Sequence, residues 1–305
     1  MTHIKSIFNY FFLLLLLFLS NYSFSNTTNK VTVIYPDINA PYDKIFSQII
    51  EGIRSEFKGE VITLKLPRTF DRQKVFKNIS TKKIIALGKR GMGIVKDIYQ
   101  EKSVVVGAFP LTPNKISGVS LMASPTALFN SLHELAPQVK IINVVYSKSS
   151  AWLMEEAKEE AKNKGITLKA IPVEDIKMAV QAYNDLFKNT KSKNVAIWLP
   201  LDPITANEKI IVPAILEKAW EKKIVVFSSK PTHAKRGALF SALPDNESLG
   251  KQLVTLMKTV NNNNNVSVVK PLNSIQLAVN LRTAAHLGYN YQPSMVSDFT
   301  LIFPK

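Results

Sequence analysis

The chain has 305 residues, 46% of them apolar, no cysteine and a formal net charge of +16. Without cysteine there is no disulfide framework, thiolate metal site or cysteine nucleophile, and the length suffices for two cores of ordinary size. The basic surplus would suit nucleic acid or anionic lipid, but its lysines alternate with acids, as in residues 155–164 (EEAKEEAKNK), and no basic run interleaves with aromatics, so it reads as a solvated surface with no nucleic-acid partner.

The first 25 residues predict a signal peptide. Lys5 precedes an almost wholly apolar run over 7–19, and Ser23-Phe24-Ser25 supplies a small-x-small cleavage pattern. The run is short for a membrane span, and no cysteine follows it for lipid attachment. Cleavage after Ser25 and a periplasmic location are expected.

Residues 31–35 (VTVIY) then predict a strand. Ile45, Ile49 and Ile53 mark a helix that stops at Gly59. Strands follow at 61–66, 83–87 and 103–107, with helices over 71–78 and from Gly88-Lys89-Arg90-Gly91 to residue 99; a strand at 118–121 closes the series. A second series has a helix over 125–135, a strand at 140–146 ending in Ser147, Ser149 and Ser150, and a helix with Leu153, Met154, Ala157 and Ala161 on its apolar face, stopped by Gly165. A strand at 166–171 and a helix over 176–189 lead to a βαβ unit at 194–229. Its strands are 195–199, with Trp198 read as core, and 224–227; its helix begins near 209–212, because Pro213 is tolerated only in a first turn. Further strands are read at 237–241 and 267–269, with helices over 248–260 and 279–287, and an extended finish from Pro293. The asparagine tract at 261–265 reads as a solvated loop.

This alternation predicts an α/β fold, two Rossmann-like lobes with parallel sheets. Lobe one is assigned 31–121 plus 237–269, and lobe two 124–229 plus 271–305. In such sheets ligands bind outside the strand carboxyl ends, which singles out Asp37, Gly88, Lys89, Ser147, Asp202, Ser228 and Ser229. Each has two readings. Asp202 is a partner for a ligand ammonium, or the cap of a turn or helix. The three serines bind a ligand or cap the next helix. Lys89, after Gly88, meets a ligand carboxylate or is solvated, and Asp37 is a rim residue or part of a turn.

The sequence contains no dinucleotide fingerprint, phosphate loop or G-x-S-x-G elbow. Gly88–Gly93 has the wrong spacing for the first. His133 and His233 lie far apart without metal-ligand spacing; both read as solvated, His233 in a loop without a nearby carboxylate. No catalytic residue, cofactor or metal is expected, and a small-molecule-modifying enzyme is disfavoured.

Residues 132–146 (LHELAPQVKIINVVY), 199–202 (LPLD), 225–239 (VVFSSKPTHAKRGAL) and 279–293 (VNLRTAAHLGYNYQP), in this order, resemble the ABC transporter substrate-binding protein family. The resemblance implies a type I periplasmic binding fold, two lobes joined by crossover strands and closing on a ligand. It implies a non-catalytic monomer that captures a small molecule, amino-acid-like or anionic, and delivers it to an ABC permease. A membrane sensor is the alternative partner. Relatives of this kind are implicated in uptake of aromatic amino acids.

Overall fold

The computed structural model describes residues 29–190, 194–260 and 267–304. The predicted signal peptide and the asparagine tract lie outside the described residues.

Short apolar runs with both faces buried become parallel strands covered by helices on either side. In the first series these are β1 (Lys30–Pro36), α1 (Asp43–Glu56), β2 (Glu60–Leu66), α2 (Arg72–Lys77), β3 (Lys83–Leu87), α3 (Gly88–Val95), β4 (Ser103–Gly107) and β5 (Gly118–Ala123). Side-chain alternation along β3 divides the core. Ile85 and Leu87 pack with Ile49 and Ile53 of α1, whereas Ile84 and Ala86 pack with Ile94 of α3.

The second series runs through α4 (Pro125–Leu135), β6 (Ile141–Tyr146), a 3-10 turn (Ala151–Leu153), α5 (Met154–Asn163), β7 (Thr167–Pro172), α6 (Ile176–Asn189), β8 (Val195–Leu199), α7 (Ile211–Lys222), β9 (Val225–Ser228), α8 (Thr232–Arg236) and β10 (Phe240–Pro244). It is followed by α9 (Asn246–Thr259), β11 (Val269–Leu272), β12 (Ile275–Asn280), α10 (Leu281–Leu287), α11 (Pro293–Ser297) and β13 (Leu301–Phe303). Two sheets result, ordered β11-β5-β4-β3-β1-β2 and β13-β12-β10-β9-β8-β6-β7. Their paired strands are parallel except β10 with β12.

Trp198 is fully buried, edge-on to Phe129 at 5.7 Å and stacked with Phe227, which agrees with its reading as core.

The sheet order corrects part of the expected lobe division. The strand expected at 237–241 and given to lobe one starts at Phe240 and pairs with β9 and β12 in the second sheet. The reason lies in the preceding connection and the strand it returns to. Only a one-turn helix separates β9 from β10, so the chain returns to the sheet it has just left, and Phe240 stacks on Phe227 at 5.3 Å. β12 also replaces the start of the helix expected at 279–287, which begins at Leu281.

Lobe one therefore consists of β1–β5 completed by α9 and β11, and the chain passes between the sheets after β5, β10 and β11. α9 lies against α1 at glycine contacts. A methyl built on Gly52 would stand 2.0 Å from the Glu247 carbonyl oxygen, and one on Gly250 2.1 Å from that of Ile49. Helix propensity favours alanine over glycine by about 1 kcal/mol, but the backbones here leave no room. Gly250→Ala is expected to destabilise the protein by about 1–3 kcal/mol through overpacking, measured by urea unfolding. A variant as stable as wild type would refute this close approach.

Candidate functional site

Leu121 and Ala123 of β5 and Leu272 of β11 line a cavity of about 220 Å³ with Leu201 and Ser229, which follow β8 and β9. This apolar space lies beside the crossovers. The ends of β6 and β7 and the loop after β8 surround a second cavity of about 720 Å³, with Ser147, Lys148, Ser149, Glu174 and Met178 in its wall.

The β8 loop is organised by Asp202, which is 3% exposed. Its Oδ1 accepts from the Ile204 and Thr205 amides at 3.0 and 3.2 Å, a turn of the kind read from the sequence. Its Oδ2 reaches across to the neighbouring strand β6. It accepts from the Ser147 amide (2.9 Å) and from the hydroxyls of Ser147 (2.7 Å), Ser150 (2.9 Å) and Ser149 (3.2 Å). Burial pushes the carboxyl up, but the Ser147 hydroxyl and amide, with the Thr205 amide and Ser150, outweigh it and hold Asp202 below 3.8. Ser147 and Asp202, singled out separately in the sequence, thus form one knot. Its coordination favours the turn reading over direct contact with an ammonium.

Ser228 and Ser229 at the end of β9 are likewise engaged. Ser229 Oγ accepts from Trp198 Nε1 at 3.0 Å. Ser228 Oγ lies 2.8 Å from His233 Nδ1 and accepts from the Lys230 amide. His233 Nε2 in turn lies 2.8 Å from Glu208 Oε1, and Glu208 also pairs with Lys230 and Arg236. The sequence reading of His233 as a solvated loop residue is therefore corrected. It is fully buried in α8, and its carboxylate lies 25 residues earlier, beyond the reach of local spacing. Ser228 is fully buried too, so this hydrogen-bonded chain ties the β9 end to the 200–210 loop.

In lobe one, Gly88 opens α3 with φ +71°, a conformation that glycine adopts without a Cβ penalty. Lys89 beside it is exposed and makes no ion pair among the described residues. The carboxylate of Asp37 pairs with Lys65 at 2.8 Å. Arg90, which the sequence reading passed over, donates to the Leu66 and Asp37 carbonyls at 2.8 and 3.2 Å and joins the ends of β1 and β2.

A family model described as ABC transporter substrate binding protein matches residues 103–299. The chain belongs to this family. Its membership assigns a solute-binding role with a small-molecule ligand, and points away from catalysis. Similar solved structures include a ligand-free, open substrate-binding protein with adhesive properties from Clostridium difficile, at 16% identity and TM-score 0.59, covering 90% of this chain and 99% of that one. Another is an ABC domain in complex with L-Trp from Streptococcus pneumonia, at 17% identity and TM-score 0.50, covering 90% and 100%. A conserved domain protein from Vibrio cholerae gives the same values. At these identities the likeness shows the fold, the type I periplasmic-binding architecture. No curated protein matches the chain. Among the described residues no helix is long and apolar enough to cross a membrane.

The buried imidazole carries a pH dependence. Burial lowers the His233 pKa below its ordinary 6.5, outweighing the hydrogen bond and charge of Glu208. Below pH 6.5 the unfolded chain therefore binds more protons than the folded one. The contribution of His233 to stability is complete above that value and is lost as pH falls towards the residue's own lower pKa. Melting temperature should fall between pH 7.5 and 5.5 in the wild type and fall less steeply in His233→Gln. Equal slopes would show that His233 is not the titrating group.

Proposed function

We propose that this protein is an exported solute-binding protein that captures an amino-acid-like small molecule between its lobes and delivers it to an ABC importer. The observation that carries the reading is the meeting of the ends of β5 and β11 with the loops after β8 and β9 around one cavity, beside short connections between the lobes. Ser124 alone separates β5 from α4, Asp245 alone separates β10 from α9, and Asn273-Ser274 separates β11 from β12. Ser124 and Asp245 cap the helices that follow them, and Ser274 Oγ donates to Asp245 Oδ2 at 3.0 Å. The lobes are thus joined by a few residues, an arrangement that suits hinge closure. A ligand touching both walls has more contacts in the closed form and shifts the population towards it. The L-Trp in the Streptococcus relative supports an amino-acid-like ligand.

A thermal-shift screen of the mature protein against amino acids, nucleosides, sugars and small anions tests capture. A true ligand at a hundred times its Kd stabilises by about 2.7 kcal/mol, and the radius of gyration in solution scattering should fall as the lobes close. A screen in which no compound raises Tm would count against capture. Export is tested separately. Intact mass of periplasmic material should place the N-terminus at Asn26, whereas Met1 retained in the membrane fraction would contradict cleavage.

A further inference from the structure

The serine hydroxyls after β6 are all turned the same way. An ionised carboxylate has only acceptors to offer, so every hydroxyl that bonds to it must spend its proton there. Ser147 and Ser150 donate to Asp202 Oδ2. Ser149 Oγ lies 3.2 Å from the same oxygen and 3.0 Å from Ser147 Oγ, so its proton is directed inward by either route. Ser147 and Ser150 are buried beneath. Ser149 is partly exposed and lines the cavity of about 720 Å³. With its proton committed, its free lone pairs remain for the cavity.

We propose that this wall of the cavity is a hydrogen-bond acceptor that selects a ligand carrying a donor, an ammonium or N–H, and that Asp202 is a positioning residue that fixes the polarity of Ser149. The inference rests on the solute-binding reading and specifies the chemistry of its lobe-two subsite. The charged groups on the same wall, Lys148 and Glu174, have opposite signs and are both exposed, so together they set no net preference. The solute that fits presents a nitrogen donor to Ser149. Asp202 therefore discriminates without touching the ligand: remove its charge and the hydroxyls are free to turn outward as donors.

The test uses the mature full-length protein and matched sets of probes, each an amino acid, its des-amino carboxylic acid and its decarboxylated amine, titrated by calorimetry. A nitrogen-bearing probe should bind at least about tenfold more tightly than its des-amino counterpart, the effect of a hydrogen bond to a charged group. Ser149→Ala should remove about that factor for the nitrogen-bearing probe and leave the des-amino acid unchanged, while Ser149→Thr, which keeps the hydroxyl, retains most of it. Asp202→Asn should narrow the ratio between the two probes, a change that a merely structural role would not produce. If that variant does not fold, the Ser149 pair decides. Equal binding of a des-amino acid, or an equal loss for both probes in Ser149→Ala, overturns the inference. If only nitrogen-free solutes such as sugars or inorganic phosphate raise Tm, the acceptor wall is refuted and solute binding stands. If no solute of any class does, both fall.

Discussion

Each passage of the chain from one lobe to the other is made in one or two residues, and much of the architecture depends on this economy. A connection so short leaves no freedom for the sheets to be placed apart, so the ends of β5 and β11 come directly against the loops after β8 and β9. Two of the three connections are also helix starts. Ser124 accepts from the Ala127 amide and Asp245 from that of Ser248, so these two crossings are anchored at their helix ends. The crossings thus join the lobes through few dihedral angles, while each lobe keeps its own doubly covered sheet.

Within lobe two, order at the strand ends comes from polar groups buried with their partners. Asp202 has no cation beside it among its hydrogen-bond partners; amides and hydroxyls hold its charge instead. The Ser228–His233–Glu208 chain fixes the adjacent loop in the same way. In a medium of low polarity an unmet donor or acceptor is costly, so these loops have few alternative arrangements. Lobe one is held differently: Arg90 clamps main-chain carbonyls at the ends of β1 and β2.

The strands were legible because sheets buried on both faces require unbroken apolar runs, and 83–87, 103–107 and 195–199 have them. Helices bounded by strong caps or prolines, such as Pro125–Leu135 and Ile176–Asn189, were legible for the same local reasons. What failed was non-local. Which sheet β10 joins depends on the pairing of Phe240 with Phe227, and nothing within the stretch itself encodes that. β12 is short, and its run merges into the helix that follows. The site was half legible. Asp202 and the serines stood at strand ends, but their meeting depends on β6 lying beside β8, and His233 meets its carboxylate only through the fold.

The placement of α9 and β11 has a consequence for biogenesis. α9 packs on α1 and β11 joins the first sheet, yet both are synthesised after five of the second sheet's seven strands. Until residue 272 has emerged, β5 presents a bare edge and the glycine face of α1 has nothing against it. Such an edge invites pairing with other chains, and distant closures of this kind slow folding. The N-terminal lobe is thus completed only late in synthesis, although its first strands are the earliest made, and the second lobe follows with β12 and β13. A chain made from its N-terminus therefore keeps that first half uncommitted for most of its synthesis.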